Sequence, residues 1–506
     1  MITLTPIWIA FPFLVGFIIY LLPRLDRYLA LCGALFSVAY ALQLFIWRSP
    51  LNLRLLDHFG VSLVLDPLTA FFILTNGLVT AAVICYCWQS DKNTFFYAQT
   101  LILHGSVNAA FACRDFISLY VALEVLSIAT FLLIAYPRND RSIWVGLRYL
   151  FVSNVAMLFY LVGAVLVYKA HHSFDFAGLR GSPPEALALI FLGLLVKGGI
   201  FVSGLWLPLT HSESESPVSA LMSGIVVKAG VLPLVRCALV LEEIDPIVRI
   251  FGVGTALLGV FYAVFEKDTK RMLAFHTVSQ LGFILAAPEV GGFYALTHGL
   301  VKSALFLIAG VLPSRNLKEL QHQPIHTPIW IALAIASFSI SGFPLLSGFG
   351  AKVLTMKNLL PWQAIGMNLA ALGTAISFAK FIFLPHKNLS EAGGRRQEAG
   401  GSIDRLNTKL EGTGGSGGTR SPVKLGFWVA MFILLGGLFV ANIVYYEAYT
   451  IANVIKPLAT IAVGWVAYFV IFKKIAVKLP RAIEKFEHLM GVMSLSLILL
   501  FWMALA

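Results

Sequence analysis

The sequence predicts an all-α, polytopic membrane protein of about 14–16 transmembrane helices. Of its 506 residues, 58% are apolar and only 12% are charged, whereas an ordinary soluble domain carries about 25% charged residues. Apolar runs long enough to cross about 30 Å of hydrocarbon recur from end to end, among them 7–22 with its flanks, 28–47, 116–136, 247–265 and 486–506. These runs lack the alternation of barrel strands, and the bilayer core offers no water to satisfy backbone groups, so helices are expected.

The first run is followed at once by Pro23, Arg24, Asp26 and Arg27 and then by a second span, with no small-residue cleavage site. It reads as a retained helix. The net charge of +12 is spread through short loops and helix ends, so it implies topology signals and no nucleic-acid interface. Arg24/Arg27, Arg138/Arg141 and Lys267/Lys270/Arg271 fall in odd-numbered loops, which favours an N-terminus on the outer side. Cys32, Cys85, Cys87, Cys113 and Cys237 have no C-x-x-C spacing for zinc or clusters and read as packing residues.

Composition divides the chain into N-terminal helices (1–90), a first repeat (95–240), a second repeat (247–385), a polar glycine-rich stretch (386–424) and C-terminal helices (425–506). The stretch from His386 to Lys424 contains EAGGRRQEAGG and EGTGGSGG and reads as a disordered linker. Lys169 to Pro184 reads as a shorter loop. Two apolar segments are interrupted by helix breakers, KGGIFVSGLWLP (Lys197 to Pro208) and SFSISGFPLLSGFGAK (Ser337 to Lys352). Paired interruptions of this kind point to inverted repeats around a transport site; the alternative is glycine that merely permits close helix packing.

Charges at membrane depth carry most of the functional argument, because an ionised side chain there costs at least about 2.5–3.5 kcal/mol. At 1.5 Å per residue, Glu124 lies about 14 Å into its span, Lys197 about 18 Å and Lys228 about 16 Å. His298 and Lys302 are four residues apart on one helix face, about 14 and 20 Å in. Lys352 follows the second interruption. His276 lies only about 7 Å past Arg271 and suits a structural histidine as well as a proton carrier. Arg148, Lys169, Lys380 and Lys473 sit near span ends, where their stems can snorkel to the interface. The line Glu124, Lys197, Lys228, His276, His298, Lys302 and Lys352 is therefore the candidate proton or cation pathway.

These residues resemble the antiporter-like membrane subunits shared by complex I and the Mrp sodium/proton antiporters. The resemblance covers roughly 60 to 385. It rests on the Glu124 helix, LLVKGGIFVSGLWLPLTHSESESPVSALMSGIVVKAG (194–230), KDTKRMLAFHTVSQLGFIL (267–285) with HGLVKSALFLIAG (298–310), and SGFPLLSGFGAK (341–352). It implies two inverted five-helix repeats, a Glu124–Lys197 pair at a broken helix, relay positions at Lys228, His298 and Lys302, and a terminal position at Lys352. The run Phe275 to Gly282 follows the form of the Mrp D-type chain more closely than that of complex I, where the corresponding type is the fourth subunit. The chain departs from the family at WLPLTHSESESP, where Leu209 replaces a frequent Asp, the proline shifts to Pro217, and Glu213 and Glu215 add acid.

The resemblance implies a translocating subunit of a multisubunit Na⁺/H⁺ antiporter, working with other membrane subunits in a bacterial cytoplasmic membrane. The alternatives are the proton-pumping arm of an NAD(P)H or ferredoxin:quinone oxidoreductase, in a bacterial or thylakoid membrane, and an assembly subunit that has lost transport. The chain has no dinucleotide-binding glycine fingerprint and no cluster cysteines, so no cofactor, no metal and no redox chemistry of its own are expected.

Overall fold

The computed structural model describes residues 2–47, 49–56, 60–387, 424–472, 479–481 and 484–505. The expected linker lies outside the described residues except for His386, Lys387 and Lys424, and so does Lys473. Among the described residues, twelve helices are long and apolar enough to cross a membrane, or thirteen when one bent pair is counted as a single span.

The N-terminal helices are α1 (Leu4–Leu21), α2 (Asp26–Trp47) and α3 (Pro67–Cys87). The first repeat comprises α4 (Thr94–Ala112), α5 (Phe116–Ile134), α6 (Asp140–His171), the bent pair α7 (Pro184–Gly198) and α8 (Leu207–Glu213), and α9 (Ser216–Leu221) continuing into α10 (Lys228–Val240). The second comprises α11 (Asp245–Phe265), α12 (Thr269–Ala286), α13 (Gly291–Ala309), the interrupted pair α15 (Thr327–Ser341) and α16 (Ser347–Lys357), and α17 (Ala364–Ile382); the short α14 (Leu317–Leu320) lies between. Each repeat has five spans with the fourth one broken. An odd number of crossings starts the second repeat on the opposite side, which makes the two inverted.

Helices α12 and α13, which carry many polar residues, are enclosed by protein. Every residue of α12 is buried, including Lys270, Arg271, His276, Thr277, Ser279 and Gln280. Helix α13 is likewise buried throughout. The lipid-length apolar faces lie on the outer helices, with Phe17, Ile46, Phe151, Leu158 and Trp502 all exposed. Helices α11 and α12 pack backbone to backbone, since a Cβ on Gly259 would collide with Ser279 N and one on Gly282 with Gly252 O.

Two small sheets depart from the all-α expectation. An antiparallel hairpin, β1 (Leu51–Leu56) and β2 (Gly60–Leu65), caps α5: Asp115 Oδ2 accepts the Ser62 N–H at 2.7 Å, and Ser118 Oγ accepts the Val61 N–H at 2.8 Å. The pair β3 (Ile325–His326) and β4 (His386–Lys387) runs parallel, so the stretch assigned to a linker begins with two paired residues. The expected loop at Lys169 is shorter too, because α6 runs on to His171 and closes with His172 in the left-handed region.

The C-terminal helices α18 (Leu425–Val444), α19 (Ile451–Ala467) and α20 (Phe486–Leu505) do not form a separate group. Helix α18 packs on α3 and α13, α19 on α17, and α20 on α7. Arg148, expected to snorkel, is buried and donates to the Glu484 carbonyl ahead of α20. Arg271 ion-pairs with Glu484 and, at 3.2 Å, with Glu266.

Asp66 fastens α3 to α10. It accepts the Thr69 N–H at 2.8 Å as the α3 N-cap and takes Arg236 Nη1 and Nη2 at 2.9 and 3.1 Å. Burial alone would raise its pKa; the guanidinium and the Thr69 donors outweigh burial and hold it below the ordinary carboxylate value. Its stabilisation is then complete at neutral pH and is lost as pH falls through that lowered value. Asp66→Asn is expected to lower stability at pH 7 by about 1.5–3 kcal/mol, and the gap to wild type should close on acidification, as measured by thermal unfolding in detergent.

Candidate functional site

The candidate site comprises ionisable groups on α5, α7, α10, α12, α13 and α16, all buried except the half-buried Glu124 of α5. Its first member follows from the break in α7. Gly199 ends that helix at φ +67°, and Phe201 follows at φ +51°, a conformation that a bulky residue keeps only when its surroundings enforce it. The enforcement is visible: Thr255 Oγ1 accepts the Phe201 N–H at 3.0 Å, and Trp206 Nε1 donates to the Val196 carbonyl at 2.9 Å.

Lys197 sits two residues before the left-handed glycine and points at α5. Its Nζ donates to the Leu123 carbonyl at 3.1 Å and to Ser127 Oγ. Glu124 lies between those two residues in sequence, half-buried, and its Oε1 has no hydrogen-bond partner among the described residues. Lysine and carboxylate are neighbours within electrostatic reach, with no hydrogen bond from the ammonium to the carboxylate among the described residues. The reason is local: the α5 carbonyl and hydroxyl satisfy the ammonium first.

Lys228 is fully buried. It opens α10 directly after a π-helical turn at Met222–Val226, and its Nζ donates to the Ser223 carbonyl at 3.1 Å and the Gly224 carbonyl at 2.6 Å. A π turn widens the helix and exposes carbonyls, a feature common at functional sites. Ser223 Oγ meets Thr277 Oγ1 at 2.7 Å, which joins this turn to the second repeat.

His298 and Lys302 share one face of α13, as their spacing requires. Lys302 Nζ donates to the Leu273 carbonyl of α12 and lies 5.2 Å from the Phe306 ring centroid. Lys302 is within electrostatic reach of Lys228, His298, His211 and His276. His276 is buried in α12 against Phe378, its ring centroid 4.7 Å away. Lys352 is buried in α16, with no hydrogen-bond partner among the described residues and the Phe283 ring 5.5 Å from its Nζ.

Three histidines of this region, His211, His276 and His298, leave both ring nitrogens without a hydrogen-bond partner among the described residues. His104, in the N-terminal bundle, is different. Its Nε2 meets Ser37 Oγ at 2.7 Å and Asn108 Nδ2 at 3.2 Å, and its Nδ1 meets Thr80 Oγ1 at 3.1 Å. That is a satisfied structural histidine. His276, which the sequence allowed to be of that kind, has neither ring nitrogen hydrogen-bonded among the described residues.

Sequence reasoning missed His211 and the π turn. His211 belongs to the WLPLTHSESESP segment, where the acids are the more conspicuous residues. Nothing in composition marks a π turn. Lys380 also differs from the snorkelling expectation, because its Nζ caps α11 by donating to the carbonyls of Ala263, Val264 and Glu266 at 3.2, 2.6 and 3.0 Å. Ser279 and Gln280, the residues used to choose the branch, act in packing. Ser279 Oγ donates to the Ala256 carbonyl at 2.9 Å, and Gln280 Oε1 accepts Tyr294 OH at 2.6 Å.

The family model described as NADH:quinone oxidoreductase/Mrp antiporter, transmembrane, matches residues 113–377, which is more than half of the chain. The chain belongs to this family. It is 27% identical over 343 residues to the D-type chain of the Na(+)/H(+) antiporter of Alkalihalophilus pseudofirmus, covering 62% of this chain and 68% of that one. It is 30% identical over 378 residues to the N-type chain of the NADH-quinone oxidoreductase of Desulforudis audaxviator, covering 67% and 75%. Its fold matches a chain in the structure of the Mrp complex from Dietzia with a TM-score of 0.70 at 20% identity, over 97% of this chain and all of that one.

The two kinds of histidine separate by stability. His104→Leu strips hydrogen-bond partners from Ser37, Thr80 and Asn108 and should cost about 1–3 kcal/mol. His298→Leu orphans no hydrogen-bonding group among the described residues and should leave the melting temperature of the purified protein unchanged or raised.

Proposed function

We propose that this chain is a proton- and cation-translocating subunit of a multisubunit monovalent cation/proton antiporter. Sodium is the proposed cation, a bacterial cytoplasmic membrane the proposed location, and other membrane subunits the obligate partners. The observation that supports this most directly is the buried group of Lys228, His298 and Lys302 within electrostatic reach of one another, with Lys197 buried at the break of α7 and Lys352 buried after the second break. Buried ammonium groups and imidazoles of this kind are kept where protons or ions pass. In this reading, residues 95–240 and 247–385 are the two half-units. Glu124 modulates the proton affinity of Lys197; Lys228, His298, Lys302 and His276 pass the proton laterally; Lys352 is the terminal site.

A second reading has a specific observation in its favour, the 30% identity to a chain of an NADH-quinone oxidoreductase. There the same residues would form the proton-pumping arm of an NAD(P)H or ferredoxin:quinone oxidoreductase, with the redox centres on other subunits.

Glu124→Ala and Lys197→Ala are each expected to abolish cation-dependent proton exchange in vesicles without loss of membrane insertion, while Lys169→Ala, exposed at the end of α6, stays near wild type. Normal exchange by the first two would remove the paired site.

Expressed alone in an antiporter-deficient host, the chain should confer no sodium resistance, and the full set of neighbouring subunits should confer it. Exchange should collapse with an uncoupler even when NADH or reduced ferredoxin is supplied. Proton movement that tracked quinone reduction without any exchanged cation would favour the second reading.

A further inference from the structure

The acidic turn Ser212–Pro217 lies over the one histidine of the buried region that the pathway above does not use. His211 in α8 is completely buried, both its ring nitrogens lack a hydrogen-bond partner among the described residues, and it stacks on Phe306 with ring centroids 4.7 Å apart. Lys302 reaches the same Phe306 ring. Toward the surface, Lys270 Nζ donates to the Ser214 carbonyl at 2.6 Å and lies within electrostatic reach of His211, Glu213 and Glu215. The two carboxylates are part-exposed and tethered, Glu215 to Lys92 at 2.5 Å and Glu213 to Arg141 at 3.4 Å.

An apolar stack alone would be served better by Phe or Leu at this position, since an imidazole with two unmet nitrogens carries a desolvation cost. The charged groups within reach of it are Lys302 from α13 and Lys270 from α12, and Lys270 is in turn within reach of the two glutamates, which hold Lys92 and Arg141. From Lys302 and His211 to Glu213 and Glu215 they pass from fully buried to part-exposed. We propose that His211 is a proton-transfer group that joins Lys302 to the face bearing Glu213 and Glu215, which act as its surface proton exchangers. The inference rests on the translocation reading above. An imidazole takes a proton at one nitrogen and releases one from the other, so His211 is neutral before and after each transfer: the proton leaves the Lys302 ammonium, crosses the ring by way of bridging water, and ends on a carboxylate. The reverse sequence serves uptake.

The test uses the complete assembled complex in inside-out vesicles, read by a pH-sensitive dye. His211→Leu and His211→Gln should each lower exchange at least tenfold at unchanged assembly. The double variant Glu213→Gln/Glu215→Gln should slow exchange in weak buffer and recover when a mobile buffer such as imidazole is added on the exposed face. Near-wild-type exchange by His211→Gln overturns the proposal, since glutamine cannot titrate. Independently of transport, deuterium exchange at the imidazole C2–H, followed by mass spectrometry, should be at least tenfold faster at His211 than at His104. Equal or slower exchange at His211 overturns the route even if transport itself is lost. A wild-type complex without exchange, but with fast C2–H exchange at His211, would count against the translocation reading and leave the hydrated route standing.

Discussion

Four ammonium groups in the middle of an apolar bundle each need an oxygen or an aromatic face, and meeting that need accounts for where the helices depart from regularity. A regular helix carbonyl is already bonded to the amide four residues on and has one lone pair left to offer. The π turn before Lys228 offers two carbonyls. Lys197 borrows a carbonyl and a hydroxyl from α5, and Lys302 takes a carbonyl from α12. Lys352 has an aromatic ring in place of an oxygen and is thereby the least anchored of the four. Fixed and loosely held ammonium groups thus alternate with imidazoles that the protein leaves unbonded.

This constraint also explains which features are legible in the sequence and which are not. Membrane spans, the two interruptions and the depth of Glu124, Lys197 and Lys228 follow from counting, since burial in lipid forces long apolar runs and makes each charge conspicuous. Helices enclosed by protein escape that logic. Thus α12 carries Lys270, Arg271, His276 and Gln280 and does not look like a span, yet it lies at the centre. Partner choice is invisible as well. Counting residues put Glu124 and Lys197 at similar depth and the resemblance paired them, but whether a lysine bonds a carboxylate or the neighbouring carbonyl depends on side-chain reach, which counting does not give. For the same reason Lys380 and Arg148 near span ends looked free to reach water, while each instead satisfies backbone carbonyls of another segment.

The inverted repeats give the odd span count a mechanical meaning. Helices α7 and α15 have the same length of 15 residues, and each ends at a left-handed glycine, Gly199 and Gly342. The breaks therefore enter the bundle from opposite sides, and the buried line between them connects two dead ends. Within the second half, backbone contacts at Gly259 and Gly282 hold α11 directly against α12.

The docking of α20 on α7 has a temporal consequence. The Arg148 guanidinium waits for a carbonyl 336 residues later in the chain. At about 5–20 residues per second of synthesis, the first repeat stands in the bilayer for roughly twenty to seventy seconds with that flank uncovered and a guanidinium unmet. During that interval the flank is a surface that other membrane helices or an insertion factor can occupy. Helix α20 covers the flank of the first half-unit only after both repeats have been made.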